Sequence, residues 1–343
     1  MGQGVAYRMG AIPLHRIAVV LPFARFLADV GAPVEQGFRQ AGLPFEALQN
    51  VNNYVPSQRF WAFVGNMARS QGIEDLGFRV GQTYGADCAD PQLSGQLRQS
   101  PTLYHALVSA SELVNKTISR SHIGLLQPPH GEHTYFYHRP SFDTHNPFID
   151  QIDWFGLSAL IGMVRLFAGP GWQPAEIGVT THHAPCRSIR EALPDTQIRP
   201  AQPYAYITLD NTLLGLAPPP HEATTGASAF LDCEIPSGDF VGSLKQVLRS
   251  YIPASDLGIE FAAELCNTST RSLQRTLAEN GTRYSEVLDQ ARFDVASELL
   301  QDADIKVTDV AIQLGYSDSA HFSRAFKRIA GVNPRVYRQA YSH

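Results

Sequence analysis

The chain has 343 residues, of which 44% are hydrophobic and 17% are charged. At roughly 150 residues per domain, this length predicts two domains, each large enough to form its own core. The composition excludes a disordered chain, a coiled-coil rod and a disulfide-stapled miniprotein. The 27 basic and 32 acidic residues give a formal net charge of -5, which argues against a uniformly basic nucleic-acid binder.

The N-terminal part of the chain, 1–215, mixes helical and extended patterns. Helices are predicted where prolines stand at or near the start of helical stretches, at 24–30, 34–41 and 57–69. Ser100 followed by Pro101 is expected to cap and open the next helix, whose apolar stripe begins at Leu103. Further elements are predicted as extended segments at 118–126 and 133–138, a long helix at 148–167, and short strands near 177–181 and 204–209. Together they predict an α+β domain over residues 1–215.

A break in the pattern follows. Residues 216–238 have no hydrophobic period and contain consecutive prolines from Pro218 to Pro220, which cannot continue a helix or a central strand. We therefore predict an interdomain linker at 216–238 and an all-α domain at 239–343. Its helices are predicted at 241–251 (ended by Pro253), 257–266, 270–279, 285–301, 308–314 and 319–330.

The all-α domain contains an internal repeat. A shift of 49 positions places 260–265 over 309–314 and 272–277 over 321–326, with identities at Ala262/Ala311, Leu265/Leu314 and Arg275/Arg324. Each copy predicts a short helix, a tight turn and a second helix, which is the size of a helix-turn-helix. The two units are predicted at about 257–281 and 307–331.

The segment between the two copies predicts one continuous linker helix. Its apolar stripe runs from Val287 to Leu299, and such a helix would fix the separation of the two units. Reading successive major-groove faces requires about 34 Å. Residues 285–304 carry six acidic residues against Arg292, so we expect the outer face of this helix to point away from DNA.

The second helix of each copy has one apolar face and one polar face. Leu273 and Leu277 mark the buried face in the first copy, and Phe322 and Phe326 in the second, by their spacing of four residues. Arg and Gln side chains suit guanine and adenine edges, while Ser and Thr suit phosphates or either base. One such helix would be read as an ordinary solvated surface helix, but two in register favour DNA. The predicted DNA-binding residues are Ser269, Thr270, Arg271, Gln274, Arg275, Ser319, His321, Ser323, Arg324, Lys327, Arg335 and Arg338.

These residues divide into predicted roles. Arg271, Gln274 and Arg275 are expected to read one major-groove segment, and Ser319, Ser323 and Arg324 the next. The remaining basic residues Lys327, Arg335 and Arg338 are expected to hold phosphates. Ser269 and Asp318 stand at equivalent positions and are predicted N-caps. Residues 317–340 carry five basic residues against Asp318, so a small basic face is compatible with a negative chain.

The C-terminal pattern resembles the AraC-type transcriptional regulators. The resemblance covers about residues 240–340 and depends on many positions at fixed spacing. In the first copy these are Ser269, Arg271, Leu273, Gln274, Arg275, Leu277 and Gly281; in the second, Ala311, Leu314, Gly315, Tyr316, Phe322, Ser323, Arg324, Phe326, Lys327, Gly331, Pro334, Tyr337 and Arg338. It implies monomeric recognition of double-stranded promoter DNA by two helix-turn-helix units joined by a linker helix.

Residues 1–215 resemble, more weakly, the regulatory domain of the family's subgroup with an arabinose-binding-type N-terminal region. The local match lies at Gly77–Gly81 and at Ser100, Pro101, Thr102, Leu103, Ala106 and Leu107. Such domains bind varied effectors or form dimers, so the name does not imply a sugar. The four scattered cysteines favour a reducing cytoplasm as the setting. The resemblance implies a regulator, classed with activators, that has a small-molecule effector, RNA polymerase and a second copy of the chain as partners. Activation and repression both stay open at this point, and no cofactor is expected.

Two alternatives stay open for the N-terminal domain. It could be a catalytic domain that DNA binding targets or autoregulates, or part of an effector-free regulator controlled by a protein partner. Against catalysis, the sequence has no Gly-x-Ser-x-Gly, Walker loop, His-Glu-x-x-His or complete dinucleotide fingerprint. We expect a non-enzyme with no catalytic residues.

Metal, disulfide and membrane sites are not expected either. His130, His133, His138 and His145, or His182, His183 and Cys186, have some ligand spacing. Metal binding is the less favoured interpretation, since His130 and His133 stand in a predicted loop or hairpin, where solvated histidines are common. The four cysteines are scattered, without zinc-ribbon spacing. The apolar segment 17–23 is short, is followed by Arg25 and Asp29, and lacks a clear small-residue cleavage site, so no signal peptide is expected. The stretch 155–169 contains Arg165 and is too short to span a bilayer.

Overall fold

A computed structural model describes residues 10–88, 93–119, 121–128, 131–139, 146–220, 235–252 and 257–341. By its contacts the chain divides into two units. The N-terminal unit comprises residues 15–43 and 57–236, and the C-terminal unit comprises residues up to 14, residues 44–56 and residues from 237 on. Residues 1–14 and 44–56 were predicted to belong to the first domain, whereas Ile12, Leu14 and Tyr54 pack with the C-terminal helices. Most of the predicted linker, 221–234, lies outside the described residues, and the boundaries at 215 and 239 stay predictions.

The N-terminal unit is an α+β structure, as predicted. Its helices are α1 (Ile17–Asp29), α2 (Val34–Gln40), α3 (Ser57–Gln71), α4 (Leu76–Tyr84), α5 (Leu93–Leu97), α6 (Leu103–Thr117), α7 (Ile149–Ala168) and α8 (Arg187–Ala192). The strands of the chain are β1 (Leu14–Arg16), β2 (Tyr54–Pro56), β3 (His122–Leu126), β4 (His133–Arg139), β5 (Glu176–Gly178), β6 (Gln197–Arg199) and β7 (Ala205–Asp210). Single turns of 3₁₀-helix follow α2, α4 and β7.

The larger sheet has the strand order β3-β4-β7-β5-β6, antiparallel except between β5 and β6. Alternate residues point to opposite faces, so Phe136 of β4 and Ile207 of β7 are fully buried beneath α6 and α7. On the other face, Tyr135 and Tyr206 form an edge-to-face pair with ring centroids 4.9 Å apart. Helix α7 is apolar and long enough to cross a membrane by length and composition, but 67% of that window is buried inside the unit, which is typical of a core helix.

Two helix starts differ from the predictions. Helix α1 begins at Ile17, seven residues before the predicted start, and includes Pro22. Five of the first six residues of this helix are buried, and this burial outweighs the hydrogen bond that Pro22 cannot donate. Helix α6 begins at Leu103 with Thr102 as its N-cap, because Ser100 donates its backbone N–H to Leu97 and so ends the preceding turn.

Helix α4 was not predicted as an element, although its glycines were part of the family resemblance. Gly77 and Gly81 lie one turn apart on the face that packs against α7. A Cβ atom on Gly77 would stand 2.2 Å from the backbone oxygen of Gln151, and one on Gly81 would stand 2.4 Å from Ser158 Cβ. The glycines are therefore required by the close approach of the two helices.

A Gly77→Ala variant is expected to destabilise the N-terminal unit by about 1–3 kcal/mol, because the new methyl group must push backbone away from backbone. Gly171→Ala is the matched control, since a Cβ there meets no atom within 4 Å. Denaturant midpoints measured by tryptophan fluorescence check this result. Equal midpoints for the two variants would contradict the close helix crossing.

The C-terminal unit is built mainly of helices, as predicted. They are α9 (Phe240–Tyr251), α10 (Ile259–Leu265), α11 (Thr270–Glu279), α12 (Tyr284–Leu299), α13 (Val307–Gln313), α14 (Ser319–Ala330) and α15 (Pro334–Tyr341). Helix α15 was not predicted, and the predicted stop at Pro253 lies outside the described residues. The bounds of α11 and α14 agree with the predictions.

The core of this unit also contains residues from far upstream in the chain. Ile12, Leu14 and Tyr54 are buried in the same cluster as the apolar faces of α9, α10 and α12. The backbone N–H of Ile12 donates to Ser243 Oγ at 2.9 Å. Ser250 Oγ accepts from the backbone N–H of Tyr54 at 3.1 Å and donates to its carbonyl at 2.6 Å. These buried bonds on α9 explain why 10–14 and 44–56 belong to the C-terminal unit.

Candidate nucleic-acid interface

Two helix-turn-helix units, α10–α11 and α13–α14, form the candidate site. In each unit the first helix is followed by a residue with positive φ, Asn267 at 49° and Gly315 at 77°. Such a backbone conformation suits Gly and, less often, Asn. It turns the chain sharply, so only a short turn separates the two helices of each unit.

The two helix-turn-helix units are not related by one constant shift along the sequence. The first helices begin after Gly258 and Lys306 and end before Cys266 and Leu314, which is a shift of 48. The second helices begin after Ser269 and Asp318, which is a shift of 49. The second turn therefore contains one extra residue. The proposed equivalences Ala262/Ala311 and Leu265/Leu314 were wrong by one position, while those between α11 and α14 are correct.

Both second helices have the predicted N-caps. Ser269 Oγ accepts from the backbone N–H of Ser272 at 3.2 Å, and Asp318 Oδ1 accepts from the backbone N–H of His321 at 2.6 Å. The backbone hydrogen bond from His321 holds the pKa of Asp318 below its usual value. Ser269 also donates its hydroxyl to Ser272 Oγ. The hydroxyl group that was predicted to bind DNA is therefore engaged in capping the helix.

The first recognition surface is the exposed face of α11. Arg271, Gln274 and Arg275 are exposed and Thr270 is half-buried, while Leu273 and Leu277 on the opposite side are buried, as predicted. The spacing of three and four residues brings the Arg and Gln side chains onto one face. Arg275 forms an exposed ion pair with Glu279, with 3.7 Å between Nε and Oε1. An exposed pair of this kind contributes about 0–1 kcal/mol, so a stronger partner can displace it.

The second recognition surface is the exposed face of α14. His321, Arg324 and Lys327 are exposed, whereas Ser319 and Ser323 are half-buried beside the core. Phe322 and Phe326 are 2% exposed and anchor the helix, as predicted. The two serines therefore have less of their side chains available than the three longer ones.

The remaining two predicted contacts lie on α15. Arg335 is exposed, and Arg338 is half-buried with its guanidinium donating to the carbonyl of Ile305 at 2.5 Å. This bond ties α15 to the segment that enters α13. Arg338 thus has a structural contact within the unit that sequence analysis did not anticipate.

Helix α12 joins the two helix-turn-helix units as one continuous helix, as predicted. At 1.5 Å per residue it is about 24 Å long. Its acidic residues do not form a free outer face. Asp294 pairs with Lys245 at 2.8 Å and Glu298 pairs with Arg249, both from α9, and Asp289 pairs with Arg328 of α14. These three ion pairs were not predicted, and they hold α12 to its neighbours. The expectation that the acidic face of α12 points away from DNA stays a prediction.

The two ion pairs between α9 and α12 were not predicted, although the sequence contains a signal for them. Lys245 and Arg249 are four residues apart, as are Asp294 and Glu298, so each helix carries a same-sign pair that is unfavourable alone. Pairing between helices removes that repulsion. Because Lys245 meets Asp294 and Arg249 meets Glu298, the two helices run in the same direction where they touch.

Asp153, His138 and His15 are buried titratable side chains of the N-terminal unit whose pKa values are shifted. Asp153 Oδ2 accepts from the backbone N–H of Thr180 at 2.7 Å and from its hydroxyl at 2.8 Å. Burial nevertheless raises the pKa of Asp153 to about 6. Burial lowers the pKa of His138 to about 4, and burial together with the charge of His138 lowers the pKa of His15 to about 3. Both rings also contact serine hydroxyls, His15 with Ser57 at 2.7 Å and His138 with Ser121 at 3.0 Å.

The histidines considered as metal ligands do not meet in the part of the chain that the structure describes. His133 and His138 lie on opposite faces of β4, since they are separated by an odd number of positions. His183 contacts Asp150 at 2.8 Å. His130 and His145 lie outside the described residues.

A surface depression of about 360 Å³ lies beside α3 and α7 in the N-terminal unit. Its lining includes Arg69, Phe148, Asp150 and Gln151. Gln151 donates to the carbonyl of Glu74 and accepts from the N–H of Gly77, and Arg69 donates to Asn66 and lies 5.9 Å from the centre of the Phe148 ring. These polar groups are already engaged with one another.

Two family models match the sequence. The model described as the arabinose-binding domain of AraC transcription regulators, N-terminal, matches residues 31–217, more than half of the chain. A helix-turn-helix domain model matches residues 262–340, which contain both recognition surfaces.

Among curated proteins, the ornithine utilization regulator of Pseudomonas aeruginosa is 38% identical over 101 residues, covering 29% of this chain and 30% of that protein. The HTH-type transcriptional regulator VirS of Mycobacterium tuberculosis is 27% identical over 188 residues, covering 51% of this chain and 53% of that protein. The matches thus span about half or less of these relatives. The crystal structure of the transcriptional regulator CdpR from Pseudomonas aeruginosa has a TM-score of 0.41 and 21% identity, covering 93% of this chain and 97% of that one.

Proposed function

The chain belongs to the AraC family of transcription regulators, and on that premise we propose that it binds promoter DNA sequence-specifically through α11 and α14. The observation that carries this proposal is the duplicated helix-turn-helix on one linker helix. Each second helix is anchored by two buried apolar residues and presents exposed Arg, Gln, His or Lys side chains on the other side. Helices of this kind enter the major groove with such side chains at base edges.

The exposed residues fall into a group suited to base edges and a group suited to phosphates. Arg271, Gln274 and Arg275 have the donor and acceptor groups for base edges in one groove segment, and Arg324 and His321 for the next. Lys327 and Arg335 are exposed cations suited to phosphates. Ser269, Ser319 and Ser323 contribute through caps and short contacts near the helix starts.

Replacing Arg275 by alanine is expected to weaken binding to the selected sequence by about 1–3 kcal/mol, with relaxed preference at one base position, because a bidentate contact to guanine is lost. Titration of labelled duplexes, specific and random, measures the effect. Arg187→Ala is the matched control, since Arg187 is an exposed Arg paired with Glu191 four residues on in α8. Equal losses on specific and random duplexes would show that Arg275 contacts only phosphate.

We further propose that the N-terminal unit binds a small effector, forms a homodimer, or does both, and that the protein works in the cytoplasm as an activator in contact with RNA polymerase. The matched regulatory-domain model supports an effector function. A metabolite screen read by DNA affinity tests it. A ligand that changes DNA affinity supports sensing, whereas turnover of a ligand with unchanged affinity supports catalysis instead. Sedimentation of the full chain tests the dimer.

A further inference from the structure

Linker helix α12 makes two polar contacts with the second helix-turn-helix. Asp289 pairs with Arg328 near the C-terminal end of α14. Arg292, one turn further along α12, lies with its guanidinium carbon 5.4 Å from the centre of the Tyr316 ring. Arg292 is half-buried, and its Nε is buried without a hydrogen-bond partner among the described residues. The ring face of Tyr316 is therefore a principal contact of this cation.

Tyr316 in turn contacts the start of α14. It stands in the turn that contains the extra residue, and its ring meets His321 edge to face, with centroids 5.3 Å apart and planes at 90°. The same ring packs against Phe322 at 5.5 Å. Arg292, Tyr316 and His321 thus form a continuous stack from the linker helix to the first turn of the second recognition helix.

The first helix-turn-helix, which the structure describes throughout, has no such stack. The position equivalent to Tyr316, counted from the end of the preceding helix, is Thr268, and the position equivalent to His321, counted from the N-cap, is Ser272. Neither residue has an aromatic ring. The stack therefore acts on one of the two recognition helices.

We propose that Arg292 is a positioning residue for DNA recognition. Through Tyr316 it fixes the orientation of the first turn of α14, and with it the placement of His321 and Arg324 against their bases. It makes no contact with DNA itself. This inference rests on the proposed function, since it concerns which bases the second helix reads.

The stack is tested by selecting duplexes from a randomised 30-base-pair library with the full-length protein. The wild-type chain is expected to enrich two blocks of specified bases about one helical turn apart, and Arg324→Ala identifies the block read by α14. Arg292→Met, which removes the cation and keeps the stem, is expected to lower the base preference in that block by about 3- to 30-fold, the range of a partly buried cation–π contact. The other block is expected to keep its preferences.

Further variants separate positioning from charge and from folding. Tyr316→Leu leaves the net charge unchanged and is expected to give the same block-specific loss, while Tyr316→Phe keeps the ring and is expected to behave as wild type. The double variant Arg292→Met with Tyr316→Leu is expected to lose no more than either single variant, because the two residues act as one unit. If the methionine variant does not fold, Tyr316→Leu tests the stack from the ring side.

A uniform loss across both blocks would assign Arg292 to general electrostatics and overturn the proposal. Unchanged preferences in Arg292→Met and Tyr316→Leu would overturn it as well. If the wild-type chain enriches no sequence, the proposed function fails and this inference fails with it. If the wild type enriches two blocks and the variants match it, only the positioning role is wrong.

Discussion

A Leu14→Ala variant is expected to destabilise the C-terminal unit by about 2–5 kcal/mol and to lose DNA binding at a lower temperature than the wild type. Leu14 is fully buried in the cluster that contains α9, α10 and α12, although it stands far upstream of those helices in the sequence. Removing its side chain leaves a cavity that the packed helices fill only in part. The substitution therefore weakens the C-terminal unit and leaves the residues proposed to bind DNA unchanged.

The N-terminal and C-terminal units can be followed by separate measurements. The chain has three tryptophans, and Trp61, Trp154 and Trp172 all belong to the N-terminal unit. Tryptophan fluorescence thus follows that unit, and the temperature dependence of DNA binding follows the other. Leu27→Ala is the matched control, because Leu27 is also fully buried but lies in the N-terminal unit.

We expect each variant to shift a different transition. Leu27→Ala shifts the fluorescence transition, and Leu14→Ala shifts the loss of DNA binding. If Leu14→Ala moved only the fluorescence transition, the assignment of residues 10–14 to the C-terminal unit would be wrong.

An Asp153→Asn variant is expected to be more stable than the wild type at pH 8, by up to about 3 kcal/mol, and close to it at pH 4. The pKa of Asp153 is raised from an ordinary value of 3.8 to about 6 by burial. Below pH 3.8 the carboxyl is protonated in the folded and unfolded chain alike. Between pH 3.8 and 6 the folded chain holds the proton more tightly, so stability falls as the pH rises. The asparagine side chain resembles the protonated carboxyl, so the variant does not lose this stability as the pH rises.

The buried histidines change the free energy of unfolding with pH in the opposite direction. The effect of Asp153 is therefore measured as the difference in this free energy between the variant and the wild type. The pKa values of His15 and His138 lie below the ordinary value of 6.5, so both cost stability as the pH falls from 6.5 toward 4. These costs are present in both proteins and cancel in the difference. Chemical denaturation at several pH values, followed by tryptophan fluorescence, gives the curve. A difference that is constant from pH 4 to 8 would contradict a raised pKa for Asp153.

The elements that the sequence predicted well are specified locally. Helix α11 is bounded by the cap Ser269 and carries Leu273 and Leu277 at helical spacing, and both signals lie within ten residues. The same is true of α14, and the exposed faces of these helices follow from their buried ones. Most of the candidate interface could therefore be predicted without the fold, although base and phosphate contacts stay predictions.

The features that sequence analysis missed depend on distant partners. Gly77 and Gly81 indicate a helix crossing only once α7 is known to lie against α4. The ion pairs of the α12 carboxylates with α9 were not predicted because Lys245 and Arg249 stand on another helix. The extra residue in the second turn was hidden because a shift of 49 still aligned small and apolar residues in α10 and α13. For the helix crossing and the ion pairs, the deciding contact joins segments that no local pattern connects.

The bonds between Tyr54 and Ser250 also have a consequence for synthesis on the ribosome. The two residues are 196 positions apart, so at about 5–20 residues per second Tyr54 is made roughly 10–40 s before its partner. Throughout that interval Ile12, Leu14 and Tyr54 have no α9 to cover them. Folding of the C-terminal unit therefore requires side chains made early in synthesis, and α9 cannot cover these side chains until the last third of the chain is translated.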